Sequence, residues 1–214
     1  MNIGVYGGTF NPIHFGHLRT AEEVFHKFKL GKVIFVPCAQ PPHKHAGDII
    51  DPLHRLKMAI LSTTGNEHFS VSDLEIVRQG KSYTILTIRE LKKQNPEAAI
   101  FFILGLEAFL EINTWYHWKE LFSETNFIVT TRPGSPKVAV SKIIPGQVRK
   151  EFKFDPRQKQ FIHKSGCKVI FTEVTSLDIS ASAIRKLVKE GKSIRYLVPR
   201  RASEYINENK LYHE

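Results

Sequence analysis

Short apolar runs alternate with amphipathic segments along most of this chain, and that alternation constrains its fold more than any other feature. The apolar runs have the length of buried strands and are bounded by turn residues. They lie at residues 3–6, 32–37, 99–104, 126–131 and 168–174, with an alternating run at 68–76. Helical periodicity, caps and prolines mark the segments at 18–28, 52–61, 84–93, 115–122, 180–191 and 199–207. The pattern predicts an α/β fold, a doubly wound parallel sheet with helices on both faces.

The length of 214 residues predicts a single domain, residues 1–214, which ends in a small helical part at 175–214. On the helix at 52–61, the spacing of Leu53, Leu56, Lys57 and Ile60 predicts a mostly apolar face. The longest apolar stretch, residues 98–106, is too short to cross a bilayer, so no membrane partner is expected. The first strand begins almost at Met1, so we expect no signal peptide.

Two cysteines, Cys38 and Cys167, follow no disulfide, redox or metal-binding spacing. We expect free, buried thiols in a protein of the reducing cytoplasm. The oligomeric state is left open, a homo-oligomer included.

The net charge of +10 suits an anionic ligand, and nucleic acid is one class of such ligands. The basic residues are scattered, however, and the densest group, at 149–168, also contains Glu151 and Asp155. We expect this segment to form a solvated surface, although a lid over a pocket stays an alternative. No aromatic motif of a single-strand RNA platform is present, so no nucleic-acid partner is predicted.

The strongest local motif lies between the first strand and the first helix, at residues 7–18. Backbone N–H groups and the helix dipole at such a turn form an anion site, and Gly7, Gly8 and Thr9 occur there. His14 and His17 are three residues apart and are expected to face one pocket. The alternative is a zinc half-site completed by other histidines, but neither cysteine has a ligand spacing.

Two further segments offer cations or hydroxyls to phosphate. Pro41-Pro42-His43-Lys44 follows the second strand and carries a mobile lysine, or is an ordinary surface loop. The run from Ile179 to Arg185 places Ser180, Ser182 and Arg185 on the first turns of a helix. For Ser180 alone, a plain N-cap role is the alternative.

The run Thr-Phe-Asn-Pro-x-His-x-Gly-His at residues 9–17 resembles the signature of the nucleotidyltransferase superfamily, which class I aminoacyl-tRNA synthetases share. A synthetase would need an anticodon-binding extension that 214 residues do not hold. Segments 41–44, 75–84, 105–116, 127–134 and 179–185 resemble bacterial nicotinate mononucleotide adenylyltransferases. The likeness runs in order from residue 5 to about residue 206. It implies a Rossmann-like nucleotidyltransferase fold.

The resemblance implies transfer of AMP from ATP to nicotinate mononucleotide, giving deamido-NAD and pyrophosphate by direct in-line attack. It implies catalytic roles for His14, His17, Lys44 and Arg185. It implies ATP-binding roles for Gly7, Gly8, Thr9, Phe10, Gly105, Glu107, Ile179, Ser180 and Ser182. It implies mononucleotide-binding roles for Asn11, Lys44, Ser82, Tyr83, Thr84, Trp115, Tyr116 and Arg132.

Mg²⁺ would arrive with ATP, so we name no metal ligand in the protein. The backbone N–H groups of Thr84 and Tyr116 would read the nicotinate carboxylate, with Trp115 packed on the ring. The chain departs from the family at Glu107, where aspartate is usual, and at Ser182, where threonine is common.

Other functions compete with this assignment. The acceptor could be nicotinamide mononucleotide or phosphopantetheine, or the chain could be a nucleotide- or RNA-binding protein that kept the fold and lost catalysis. The Ser82-Tyr83-Thr84 segment could simply begin a helix, and Trp115 and Trp118 could be core anchors. The Ser-Tyr-Thr and Trp-Tyr segments argue against phosphopantetheine, and intact His14, His17, Lys44 and Arg185 argue against a protein without catalysis.

Overall fold

A computed structural model describes residues 1–41, 49–133 and 143–213 of the chain. Eight strands form one sheet in the order β3-β2-β1-β4-β5-β8-β7-β6. They are β1 (Asn2–Gly8), β2 (Lys32–Pro37), β3 (Phe69–Val71), β4 (Ala99–Gly105), β5 (Asn126–Thr131), β6 (Phe152–Asp155), β7 (Gln160–His163) and β8 (Lys168–Glu173). The predicted α/β class is confirmed.

The first five strands and β8 are parallel, as the alternation of strands and helices predicts. The chain order reverses between β1 and β4, where Val5 pairs with Ile34 on one side and Phe102 on the other. Ligands of such sheets bind at the carboxyl ends of the strands beside this reversal.

The helices are α1 (Phe15–Lys27), α2 (Pro52–Thr63), α3 (Leu74–Arg78), α4 (Thr84–Gln94), α5 (Leu106–Leu110), α6 (Trp118–Glu124), α7 (Ala181–Lys189) and α8 (Arg200–Glu208). Short 3₁₀ helices span Ile112–Thr114 and Arg149–Glu151. The predicted run at 68–76 is shorter than expected as a strand, because α3 begins at Leu74. Within the ranges described, no helix is long and apolar enough to cross a membrane.

Alternate residues of the central strands β1, β2, β4 and β5 enter two separate apolar clusters, one on each face of the sheet. In β2, Ile34 and Val36 belong to the cluster that contains α4, α5 and α6, whereas Val33 and Phe35 belong to the cluster with α1, α2, α7 and α8. This division is what a doubly wound sheet requires, since both faces of its central strands are covered.

The inward face of α2 differs from the predicted one. Leu53 and Ile60 are 61% and 43% exposed, and the buried residues are Arg55, Met58, Ala59 and Thr63. Periodicity alone favours the face with most aliphatic residues. Here a buried arginine replaces an apolar residue, because its guanidinium finds backbone acceptors inside the fold.

The basic segment at 149–168 contains an antiparallel hairpin that the alternation pattern does not reveal. β6 pairs with β7, and β7 pairs with β8, so the hairpin extends one edge of the sheet. The basic side chains of this hairpin and its flanks, Arg149, Lys150, Lys153, Arg157, Lys159 and Lys164, are exposed. The prediction of a solvated surface is therefore confirmed.

Cys38 and Cys167 are free, as expected, but each is half-buried rather than buried.

Candidate active site

Two cavities meet at the carboxyl ends of β1 and β4, and both are lined by Tyr6 and Gly105. The smaller, of about 270 Å³, is called the histidine pocket here. It is lined among others by His14, His17, Glu107, Arg132, Ile179 and Ser180. The larger, of about 610 Å³, is called the aromatic pocket. It is lined among others by Thr9, Ser82, Tyr83, Thr84, Trp115 and Tyr116.

His14 and His17 stack against each other where α1 begins. Their ring centroids are 3.7 Å apart, and His14 is the N-cap residue of the helix. The backbone N–H of His14 donates to Nδ1 of His17 at 3.2 Å. A neutral His17 therefore carries its proton on Nε2. The expectation that both histidines face one pocket is confirmed.

His14 is buried and neutral at physiological pH. Only 6% of the residue is exposed, and within the described part of the chain its Nδ1 has no hydrogen-bond partner. Burial, with a smaller contribution from the Arg132 guanidinium, lowers the pKa of His14 from about 6.5 to about 4. An imidazole in this state offers hydrogen bonds without a positive charge of its own.

The other walls of the histidine pocket come from β4, β5 and the start of α7. Glu107 follows Gly105, the last residue of β4. Ser180 is the N-cap of α7, and its Oγ accepts from the N–H of Ala183 at 3.2 Å. The N-cap prediction for Ser180 is confirmed, and the residue also lines the pocket. Arg132, which the resemblance assigns to the mononucleotide, lines this pocket beside His14.

Ser182 and Arg185 lie on the first turns of α7 but line neither pocket. Ser182 is exposed, with its Oγ 3.2 Å from Oγ of Ser180. Arg185 donates through Nη1 to the carbonyl of Asn11 at 2.9 Å. The guanidinium is thus attached to the signature turn, whose Asn11 is 5% exposed.

In the aromatic pocket, two helical segments bring aromatic rings together. Tyr83 and Tyr116 stack with centroids 4.3 Å apart. Trp115 meets Phe102 of β4 edge to face at 6.1 Å, so part of its ring is a core contact as well. Ser82 joins this wall to the loop after β2, since its Oγ accepts from the N–H of Ala39 at 2.8 Å.

Two backbone donors stand at the aromatic pocket. Tyr83 is the N-cap of α4, so Thr84 is the first helical residue and its N–H has no partner within the helix. Among the described residues, neither this N–H nor that of Tyr116 donates to a protein acceptor. A carboxylate placed between them would receive hydrogen bonds without meeting an acceptor.

The glycines of the signature belong to β1 rather than to the turn after it. Gly7 and Gly8 end the strand, and with Thr9 they line the aromatic pocket. A Cβ at Gly8 would lie 2.9 Å from the Phe10 ring, so a larger residue there would force this ring to move. Phe10 is buried, with its ring centroid 5.1 Å from that of His17. In the structure, its ring packs against the His17 ring.

Lys44 lies outside the described residues, as do Pro42 and His43 of the same motif. Its predicted phosphate contact therefore stays a prediction.

Three residues near the site escape the sequence patterns. Tyr6 lines both pockets, and burial raises the pKa of its hydroxyl to about 12. Arg55 is fully buried and donates to the carbonyls of Ile50 (3.1 Å), Thr9 (2.8 Å) and Ala39 (3.0 Å). Tyr212 donates to Oδ1 of Asn11 at 2.9 Å. An arginine on the inner face of α2 could have indicated a buried hydrogen-bonding role. No sequence pattern around Tyr212 indicates its contact with Asn11.

The donor set does not resemble a metal site. In the ranges that the structure describes, no group of three or more histidine, cysteine, aspartate or glutamate residues could hold a metal ion. Glu107 is the single carboxylate among the residues named for the histidine pocket. Hard cations prefer several oxygen ligands, so phosphate oxygens and water would have to supply most of them.

The sequence model of the cytidylyltransferase-like family matches residues 5–187. A protein of Geobacter metallireducens named "Probable nicotinate-nucleotide adenylyltransferase" is 44% identical over 212 residues, which cover 99% of this chain and 98% of the relative. A Geobacter sulfurreducens protein of the same name is 42% identical over the same coverage. The chain belongs to the nicotinate-nucleotide adenylyltransferases of the cytidylyltransferase-like family.

Solved structures confirm the fold of this adenylyltransferase-family chain. The Plasmodium falciparum nicotinic acid mononucleotide adenylyltransferase complexed with NaAD matches with a TM-score of 0.72 at 21% identity, over 99% of this chain and 97% of that one. The same enzyme complexed with APC matches with a TM-score of 0.71 at 20% identity, over 99% and 96%. The nucleotidyltransferase fold and the family resemblance of the motifs are both confirmed.

Proposed function

We propose that the chain transfers AMP from ATP to nicotinate mononucleotide, giving deamido-NAD and pyrophosphate, by direct in-line attack without a covalent enzyme intermediate. The observation that carries this is the meeting of two chemically different pockets at Tyr6 and Gly105. One has imidazoles, hydroxyls and a guanidinium for phosphates, and the other has aromatic walls with unpaired N–H groups for the base. The names of the full-length relatives support the same reaction.

The histidine pocket would hold the reacting phosphates of ATP. The mononucleotide phosphate is already an anionic nucleophile, so the protein has to position it and stabilise the charge that develops. His14 acts as a neutral donor, and His17, whose Nδ1 accepts the N–H of His14, donates from Nε2. The Arg132 guanidinium supplies positive charge beside them. Removal of one such donor should cost about 3 kcal/mol of transition-state stabilisation.

Pyrophosphate leaves toward the start of α7. The N-terminal end of this nine-residue helix, with Ser180 and Ser182, favours negative charge. Arg185 lies on the first turns of the same helix, and its guanidinium donates a hydrogen bond to the carbonyl of Asn11. Lys44 is assigned to the same phosphates on sequence grounds alone.

The remaining ATP contacts come from the end of β4 and from the signature. Gly105, Glu107 and Ile179 hold the nucleoside part, with the Glu107 carboxylate as acceptor for ribose hydroxyls. Thr9 sits where the two substrates meet. Mg²⁺ enters as part of the ATP substrate and screens phosphate charge.

Nicotinate would bind in the aromatic pocket. Its ring packs against Trp115, with the stacked Tyr83 and Tyr116 on one side and the strand ends on the other. Its carboxylate accepts hydrogen bonds from the N–H groups of Thr84 and Tyr116. An amide in this position would leave its NH₂ group without an acceptor. That mismatch penalises nicotinamide mononucleotide.

The direct test is product formation by the purified full chain with ATP and Mg²⁺. Nicotinate mononucleotide, nicotinamide mononucleotide and phosphopantetheine are offered separately, and pyrophosphate and the dinucleotide product are both quantified. We expect deamido-NAD from the first acceptor and much slower turnover with the others. Equal use of the two mononucleotides would refute the assignment of the base-reading groups, and inactivity with all three would refute the enzyme assignment.

Thr84→Pro tests whether the backbone N–H of Thr84 recognises the carboxylate of the base. Proline is favoured at the first position of a helix and removes only the N–H there, and the extended Tyr83 (φ −98°, ψ 118°) suits a following proline. Since a hydrogen bond to a charged group contributes about 1.5–3 kcal/mol, kcat/KM for nicotinate mononucleotide should fall by about 10- to 100-fold.

Thr84→Ala is the matched control, because it keeps the N–H and loses only the side chain. It should stay near the wild type, and both variants should keep the wild-type kcat/KM ratio between ATP and its analogues. If Thr84→Pro and Thr84→Ala behaved alike toward nicotinate mononucleotide, the N–H of Thr84 would not read the carboxylate.

The same proposal includes a cytoplasmic setting, in keeping with the free thiols of Cys38 and Cys167, and one nucleotidyltransferase domain over residues 1–214. Neither nucleic acid nor a membrane is part of the reaction.

A further inference from the structure

The end of the chain folds back onto the signature turn. After α8 ends at Glu208, Lys210 and Tyr212 adopt left-handed backbone conformations, with φ of 49° and 67°. The N–H of Leu211 donates to the carbonyl of Ile206 at 3.0 Å, and Leu211 is buried in the cluster beneath. This reversal carries the Tyr212 side chain toward residues 9–12.

Asn11 is held at two points by residues far away in sequence. The Tyr212 hydroxyl donates to its side-chain Oδ1 at 2.9 Å, across 201 residues. The Arg185 guanidinium donates to its backbone carbonyl at 2.9 Å, across 174 residues. Asn11 itself lies between Thr9 and His14, on the segment that leads from β1 to the stacked histidines.

Burial keeps the Tyr212 hydroxyl in its donor form, since it raises the pKa of this group well above its ordinary value. The hydroxyl therefore remains a donor to Asn11 throughout the working pH range. A second donor, Arg55, holds the carbonyl of Thr9 two residues earlier.

The geometry points to Tyr212 as a positioning residue for adenylyl transfer. Its hydroxyl holds the Asn11 side chain and, through Asn11, the orientation of Arg185 and of the turn that precedes His14. The inference rests on the proposed function, because its readout is that reaction. Tyr212 acts through Asn11 and is not assigned a contact with substrate.

Tyr212→Phe removes the hydroxyl and keeps the ring. Groups that act mainly in the transition state affect kcat more than KM. We expect kcat to fall by about three- to tenfold, the size of one lost hydrogen bond, with KM for both substrates within about twofold of the wild type.

Tyr205→Phe is the matched control. Tyr205 lies on α8, and its hydroxyl is 2.9 Å from Nδ1 of His54, on α2 and away from both pockets. The control loses an equally short hydrogen bond of the same C-terminal region, so it should change thermal stability about as much as Tyr212→Phe but leave kcat unchanged.

A double-mutant cycle tests whether Tyr212 acts through Asn11. In an Asn11→Ala background, Tyr212→Phe should change kcat by less than twofold, since the partner is already gone. Equal kcat in Tyr212→Phe and Tyr205→Phe, or a full additional loss in the Asn11→Ala background, would overturn the inference. Wild-type enzyme is assayed alongside: without wild-type turnover the proposed function itself falls and the inference with it, whereas normal wild-type turnover isolates the role of Tyr212.

Discussion

At the residue scale, the burial of His14 makes the stability of the folded protein depend on pH. It is 6% exposed and lies beside Arg132, and none of the residues that the structure describes bonds its Nδ1. A protonated His14 would bring a second positive charge into a buried site. The histidine is therefore a neutral donor in the folded state, and it takes up a proton readily only on unfolding.

This state predicts a specific pH dependence of stability. Because the folded pKa of about 4 is below the unfolded value of about 6.5, unfolding takes up a proton as pH falls through this window. Stability is thus unaffected by His14 above pH 6.5 and is lost progressively down to about pH 4. Between pH 7 and pH 5 the loss from this group should be about 2 kcal/mol.

Urea unfolding of the wild type and of His14→Gln at both pH values measures this loss. The variant should lose about 2 kcal/mol less stability than the wild type over this interval. His26→Gln is the control, since His26 lies on the same helix with a 69% exposed side chain and should follow the wild type. Parallel pH curves for all three proteins would contradict the burial of a neutral His14.

At the element scale, α2 positions two loops through one side chain. Arg55 is fully buried and its three hydrogen bonds reach the carbonyls of Thr9, Ala39 and Ile50. Burial lowers the pKa of the guanidinium, an effect offset in part by neighbouring Cys38 and Tyr212. The helix is thereby tied to the ends of β1 and β2, beside the aromatic pocket that Thr9 lines.

Arg55→Met should lower the free energy of unfolding by about 3–5 kcal/mol. The change leaves three partly buried carbonyls without their donors, and each group left unsatisfied away from water costs about 1–3 kcal/mol. Chemical denaturation measures the loss, and Arg55→Lys should recover part of it.

The control is Arg200→Met. The Arg200 side chain is 90% exposed and pairs with Glu204 on the surface. This variant should stay within about 0.5 kcal/mol of the wild type. Similar losses at positions 55 and 200 would show that the buried hydrogen bonds of Arg55 contribute little.

Among the elements, the buried parallel strands were predictable, because each carries its apolar run within six or seven neighbouring residues. The inner face of α2 was not, since Leu53 and Ile60 satisfy the periodicity and yet face outward. The β6–β7 hairpin was missed as well. Each of its strands has only four residues, so the alternation of β6 is too short to mark a strand, and the hairpin is part of the sheet because β7 pairs with β8.

At the scale of the whole molecule, the basic cluster on the β6–β7 hairpin does not line the site. The turn between β6 and β7 lies at the carboxyl ends of the parallel strands, as the pockets do. Across the sheet, however, β5 and β8 separate β7 from β4. With strands about 4.8 Å apart, this puts the hairpin strands roughly 14–19 Å from β4 across the sheet. Val174 and Thr175, which follow β8, line the histidine pocket on the side nearer to the hairpin. Neither pocket is lined by a residue of the hairpin.

Replacing Lys153, Arg157 and Lys159 by glutamate should therefore leave KM for ATP within about twofold at 0.15 M salt, where the screening length is about 8 Å. At 0.01 M salt the screening length is about 30 Å, and KM should rise. Steady-state kinetics at both ionic strengths measures this. A tenfold rise already at 0.15 M would show that the hairpin acts on the substrate directly, as a lid would.

Much of the candidate site was readable from the sequence. The signature turn, the histidine pair and the Ser82-Tyr83-Thr84 and Trp115-Tyr116 segments are contiguous motifs, and strand-end geometry brings them together. Which pocket each residue lines was not readable in this way. Gly7, Gly8 and Thr9 line the aromatic pocket and Arg132 the histidine pocket, although the family likeness suggested other partners.

The sequence by itself determined the α/β class, the parallel strands and the motifs that end at one edge of the sheet, because each depends on residues close together along the chain. Only the tertiary structure decided the state of His14, the burial of Arg55 and the contact of Tyr212 with Asn11. Those properties come from desolvation and from hydrogen bonds between groups far apart in sequence. They exist only once the sheet, α2 and the end of the chain have packed around the turn.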